Sequence, residues 1–160
     1  MRNQKTTLLD LINQAYDHKA WHGANLRGSL RGVTAPLAAE RPARGRHNIW
    51  ENVVHCAYWK YAIWRRITGD TTVAFPVKGS NWFERPHLLT AAVWRADIAL
   101  LDDAHRTLRA LVESLSPRDL GRSRGASKFD VAGMLIGIAA HDVYHAGQIQ
   151  LLKKLLPSRA

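Results

Sequence analysis

The stretch over residues 48–68 constrains the fold most. Read as a helix it is apolar on almost every side, through Ile49, Trp50, Val53, Val54, Ala57, Tyr58, Trp59, Tyr61, Ala62, Ile63 and Trp64. A helix of that kind must be covered on every side. One bundle core covers one face, so the remainder calls for a second covering surface, most economically a symmetric partner subunit. Gly69, tolerant of positive φ, suits the C-terminal cap.

Three further stretches carry helical periodicity. Leu8, Ile12, Ala15, His22, Leu26 and Leu30 recur at spacings of three, four or seven, which predicts a first helix over residues 6–30, weakened at Gly23 and Gly28. A helix over 87–115 takes Leu89, Val93, Ala96, Leu100, Leu108, Leu111 and Leu115 as its inward set and stops at Ser116-Pro117. The last helix opens on Ser127 and Asp130, which resemble a capping box, and runs to Leu156 before Pro157. No alternating run or Asn-Gly or Asp-Gly turn marks a β-hairpin. With 160 residues, 46% of them apolar, the chain reads as one all-α domain over residues 1–160, a four-helix bundle. Its connectors of roughly 15, 17 and 11 residues can each run the length of a bundle, so loop length does not impose an up-down-up-down order.

Several function classes fall away. The longest run without charge or strong polarity, residues 131–140, is half of the roughly 20 residues a membrane span needs, so no membrane partner is expected. The N-terminus lacks the apolar region of a secretory signal, and the expected location is cytoplasmic. A single cysteine, Cys56, excludes an internal disulfide and a cysteine-rich zinc site, and its default role is a small core residue. The net charge of +10 raises nucleic acid as a partner. The basic excess, however, sits in two connectors (Arg41, Arg44 and Arg46, then Arg118, Arg122, Arg124 and Lys128) that lack aromatics for base stacking. Solvated loops are the expectation, and nucleic acid is not.

The chemistry concentrates at His141-Asp142-Val143-Tyr144-His145. Two histidines four positions apart lie about 40° apart around a helix and about 6 Å along it, so both imidazoles can meet one ion. Such a pair also arises by chance on a solvated helix or as satisfied core residues. Here it shares a stripe with Met134, Ile138, Gln148 and Leu152, which points it into the bundle. A third ligand has to come from another helix, and His55 in the apolar helix is the natural candidate. Three neutral ligands on a divalent ion leave a position open, the pattern of a catalytic rather than a structural site. Asp142 invites comparison with the His-Glu-x-x-His motif, but it is one carbon shorter and no third protease ligand follows; it is a weak general-base candidate against a supporting or surface role. His22 is either a core histidine, a pocket acid–base group or an extra ligand. Gly133 and Gly137, on the face of His141, either permit tight packing or leave room for substrate above the ion. Trp59 and Gln148 would line such a pocket.

The single inward histidine of the second helix, followed by His-Asp-x-Tyr-His-x-Gly-Gln at 141–148, resembles the DinB/YfiT-like superfamily of four-helix metalloenzymes. The segments at 21–23, 46–51 and 135–140 are similar to its members as well, so the resemblance covers nearly the whole chain. It implies an up-down-down-up bundle, usually homodimeric, with nickel or zinc held by His55, His141 and His145. It also implies either thiol-dependent transfer (bacillithiol, mycothiol or glutathione), isomerisation of maleylpyruvate, or hydrolysis. The expectation is a metal-dependent enzyme that activates water or a low-molecular-weight thiol toward a small-molecule substrate, with anionic ones favoured by the basic rim. The alternative is a metal-carrying sensor or binding module without turnover.

Overall fold

The computed structural model describes residues 3–85, 90–124 and 127–156. Among them the chain forms helices α1 (Gln4–Tyr16), α2 (Leu26–Ser29), α3 (Ala35–Ala39), α4 (Ile49–Thr68), α5 (Ala91–Ser114), α6 (Pro117–Leu120) and α7 (Val131–Leu155), with no strand. None of these helices is long and apolar enough to cross a membrane.

Side-chain contacts fix the directions of the four long helices. Tyr16 meets Asp102 and His105, Asn13 accepts from Arg109, and Lys5 donates to the Glu113 carbonyl, so α1 runs antiparallel to α5. Trp50 packs on Trp94, while Tyr61 and Trp64 share a cavity with Leu100, Ala104 and Thr107; α4 and α5 are therefore parallel. Asn52 meets His145, Lys60 meets Asp142, and Ile63 lies beside Met134, which makes α4 antiparallel to α7. The order is up-down-down-up. Parallel neighbours need a crossover that returns the length of a helix, about 30 Å for the 20 residues of α4. Residues 69–85, the described part of the segment between α4 and α5, run back over α4.

The crossover also covers α4. Phe75 and Phe83 pack on Tyr58, and Phe75 also meets Tyr61, so this chain itself supplies a covering surface for α4. A different helix is left apolar on its outer face: Ile136, Tyr144, Leu151 and Leu155 of α7 are 51–62% exposed.

Three sequence expectations need correction. The first helix ends at Tyr16, not at residue 30. The Asp17 and His18 amides both close on the Asn13 carbonyl, Gly23 takes φ +98°, and the chain restarts in α2 under the Asn25 cap. Leu26 and Leu30 are buried by a second element, in a different apolar cluster from Leu8, Ile12 and Ala15. On α5 the buried stripe is Trp94, Asp97, Leu101, His105, Leu108 and Val112; of the expected set Leu108 and Leu115 are buried, while Val93, Ala96, Leu100 and Leu111 each lie one residue before a buried position. The expected start of that helix at His87, with Leu89, lies outside the described residues. At α7 the cap is Asp130 itself, whose carboxylate accepts from the Gly133 amide at 2.7 Å, while the Ser127 hydroxyl accepts from Phe129. The α4 start does carry a reciprocal capping box between Asn48 and Glu51, and Gly69 ends that helix at φ +76°.

Two apolar clusters fill the bundle, one around Trp50, Leu101 and Ile149, the other around Ile12, Leu108 and Leu135. Between them along the helices come Lys60 on α4, His105 on α5 and Asp142 on α7, all buried. Lys60 donates to Asp142 and lies 4.9 Å over the Tyr16 ring, and Tyr16 stacks on His105 at 3.8 Å. A buried pair of this kind stabilises little against an apolar replacement, but removing one partner costs about 3–5 kcal/mol.

Burial, helped by the Lys60 charge, pushes the His105 imidazole down to about 3. An unfolded histidine titrates near 6.5, so between about 6.5 and 3 the native state binds fewer protons at this position than the unfolded one. The contribution is complete above pH 6.5 and is lost as pH falls through that window. In His105→Phe, which keeps a ring against Tyr16, the slope of unfolding free energy between pH 4 and 6 should fall by about 1.4 kcal/mol per pH unit, one proton's worth. Urea unfolding at a series of pH values measures this, and an unchanged slope would contradict the buried neutral state of His105.

Candidate metal centre

The antiparallel contact of α4 with α7 creates the site. His141 and His145, one turn apart on α7, face His55 on α4, and one ring nitrogen from each lies within 4.8 Å of the others. The Nε2 atoms of His55 and His141 are 3.0 Å apart, and the His141 and His145 ring centres are 4.4 Å apart. His55 and His145 are buried and His141 is partly so.

The surroundings decide which nitrogen each ring presents. His55 Nδ1 lies 2.7 Å from the backbone carbonyl of Asn81. A carbonyl only accepts, so that nitrogen carries the proton and Nε2 keeps its lone pair. His145 Nδ1 lies 2.7 Å from Asn52 Oδ1, while Asn52 Nδ2 donates to the Asn48 carbonyl and holds the amide in that orientation. The N-cap of α4 thus positions His145 of α7 through Asn52. Outer hydrogen bonds of this type fix the tautomer and aim of metal-ligating histidines.

The crossover clamps His55 as well. Trp82 stacks on its ring at 3.9 Å and 11°, and His47 stacks on Trp82 at 3.6 Å and 5°. Asn81, at φ +64°, turns its carbonyl to His55 while its side chain accepts from Trp59 Nε1 at 3.0 Å. Asparagine is among the few residues that tolerate this left-handed conformation. His47 is tied to Glu51, which also receives Arg41. Burial works to raise the Glu51 carboxyl, but hydrogen bonds from Arg41, His47 and the Asn48 amide outweigh it and hold it below its ordinary value.

All three imidazoles titrate below the ordinary histidine value. Burial is the chief cause for each. It takes His141 down to about 3, with neighbouring His145, His55 and Lys60 adding to the effect, and His145 to about 4, with His55 adding and a hydrogen bond to Gln148 opposing. His55 is lowered by burial against the support of the Asn81 carbonyl. At neutral pH the cluster offers neutral nitrogens, the form that binds a metal.

This donor set fits a divalent ion. Nitrogens around tetrahedral zinc at 2.0–2.1 Å stand about 3.3 Å apart, close to the observed 3.0 Å, and imidazole suits zinc, nickel, copper and iron. The His141 Nδ1 and Asp142 Oδ1 atoms are buried without hydrogen-bond partners among the described residues. Together with Cys56 they form a second grouping behind His141.

A groove of about 250 Å³ opens beside His141 between α4 and α7, walled by Trp59, Ile63, Met134 and Ile138. Gly137 lies on its floor, where a Cβ would meet nothing within 4 Å. Of the residues singled out in the sequence, His55, His141 and His145 come together, Trp59 and Gly137 border the groove, and Gln148 sits by His145 away from the groove walls. Asp142 is turned to Lys60, with burial raising its carboxyl to about 6 against the pull of that lysine. His22 is a correction: it is exposed in the segment after α1, outside any helix and away from the cluster. Sequence reading missed Asn52, Asn81, Trp82 and Lys60. Only Asn52 had a local signal, one turn after the Asn48 cap and three residues before His55.

No curated protein and no solved structure gives a significant match to the chain. The family model described as the DinB superfamily matches residues 6–149, which take in most of α1 and α7 and the whole histidine cluster. That match covers most of the chain, and on it the chain belongs to the DinB superfamily.

Proposed function

We propose that the histidine cluster holds a divalent ion, nickel or zinc, and that the chain is a metal-dependent enzyme of the hydrolase or thiol S-transferase type. The observation that carries this reading is that His141 belongs both to the cluster and to the wall of an open groove, so a ligand in the groove lies against the site. When bound, the ion would act as a Lewis acid that lowers the pKa of water or of a low-molecular-weight thiol and supplies a nucleophile at neutral pH. His55, His141 and His145 would hold it. Asn52 and the Asn81 carbonyl keep the Nδ1 protons on their rings and aim the Nε2 atoms inward. Trp59, fixed through Asn81, shields one side of the groove from water, and Gly137 leaves the space open.

One observation favours a second reading, a metal-carrying sensor or binding module. Asp142, the carboxylate next to His141 in sequence, is engaged with buried Lys60 and so is not free to act as a general base.

A homodimer is part of the proposal, supported by the exposed apolar face of α7 instead of by α4. Light scattering should give twice the chain mass for the wild type and the chain mass for Leu151→Glu; a monomeric wild type would contradict it.

Turnover separates the two readings. The nickel- or zinc-loaded protein is incubated with several thiols plus an electrophilic acceptor and, separately, with activated esters. The enzyme reading expects turnover that disappears in metal-free protein and falls about 10- to 100-fold in Asn52→Ala, the usual cost of losing an outer hydrogen bond to a ligand. Equal rates without metal would overturn it, and stoichiometric metal without turnover would favour the binding module.

A further inference from the structure

We propose that the groove beside His141 binds a small carboxylate with an apolar body, its carboxylate on Arg66 and its other end at the histidine cluster. This rests on the enzyme reading above for the role of the cluster, but on the groove alone for the ligand.

The groove has a direction. Trp59, Ile63 and Arg66 are spaced four and three along α4 and form one stripe, and Gly133, Gly137 and His141 form the facing stripe on α7. Because the helices are antiparallel, Trp59 and His141 lie at one end and Arg66 and Gly133 at the other. From Trp59 to Arg66 the helical rise is about 10 Å, and from His141 to Gly133 about 12 Å.

The chemistry differs between the ends. Apart from His141 and Arg66, the lining side chains are apolar or absent. The guanidinium of Arg66 is solvent-exposed, and no ion pair to it is found among the described residues. Its planar fork matches a carboxylate in two parallel hydrogen bonds. A cationic ligand would meet Arg66 at one end, and a strongly polar one would lose hydration against Ile63, Met134 and Ile138. The volume of about 250 Å³ is below the usual range for ligand pockets and admits about a dozen non-hydrogen atoms at interior packing density. The wall is preformed, since Trp59 is held through its indole nitrogen by Asn81. Gly137 sits midway, where a side chain would occupy the ligand's path.

The probe is 4-phenylbutyrate, which fits that length and volume, compared with 4-phenyl-1-butanol and 4-phenylbutylamine by isothermal titration or ligand-observed NMR. Measurements use the metal-free full chain and the chain loaded with nickel or zinc. In both forms the acid should bind at least about tenfold tighter than the alcohol or the amine. Arg66→Gln should abolish that preference. Gly137→Leu should weaken the acid about tenfold or more with the wild-type helical signal and melting temperature retained. Equal binding of the three probes would overturn the proposal. So would acid binding that survives Arg66→Gln but vanishes when metal is removed, since the carboxylate would then sit on the ion. Acid binding through Arg66 in a chain that takes up no metal would leave this inference standing while the enzyme reading fell. Metal uptake without acid binding would do the reverse.

Discussion

Two imidazole nitrogens 3.0 Å apart, one from each of two antiparallel helices, form the contact on which the rest of the site depends. The Asn81 carbonyl leaves His55 Nε2 without a proton, so this contact is favourable only when something positive lies between the rings, either a proton from His141 or a cation. Burial opposes the further protonation that would make the rings cationic, and the third imidazole makes each added charge worse. A divalent ion held there would resolve the arrangement without protonating any of them. The up-down-down-up order follows the same requirement, because it sets α4 antiparallel to α7 and sends the crossover past His55, where Asn81 and Trp82 can hold it.

The cluster has a buried foundation that an apolar core would not provide. Asp142 and Lys60 neutralise each other next to His141, Tyr16 and His105 complete a polar layer across the bundle, and apolar clusters on both sides keep water out. Such a layer adds little stability in itself and is costly when broken. Its effect here is positional: Asp142 cannot move toward the ligands without abandoning Lys60, and the space beside His141 is left to the groove.

Much of this was legible before any coordinates. The near-continuous apolar character of residues 48–68 and the histidine spacing on α7 both survive in the fold, because they depend on helical periodicity alone. What was not legible depends on burial of polar residues. Lys60, Asp97 and His105 are polar and so fall outside any apolar stripe, although all three are buried, and on α5 Asp97 and His105 lie in the inward stripe beside the shared Leu108. Leu26 and Leu30 extended an apparent period past the end of α1, since spacing does not tell whether one helix or two elements bury a residue. Asn81 and Trp82 reach His55 only because of the crossover's path, which no local pattern records. The same crossover lays Phe75 and Phe83 on α4, a cover that composition alone does not reveal.

The most direct measurement is X-ray absorption at the metal edge of the chain loaded with one equivalent of zinc or nickel, beside the His55→Ala variant. Three imidazole nitrogens, at about 2.0–2.1 Å for zinc, with solvent in the remaining positions, are expected for the wild type, and one fewer imidazole with weaker retention for the variant. A spectrum with no more than one imidazole, or an identical spectrum and affinity in His55→Ala, would contradict a shared cation site between α4 and α7.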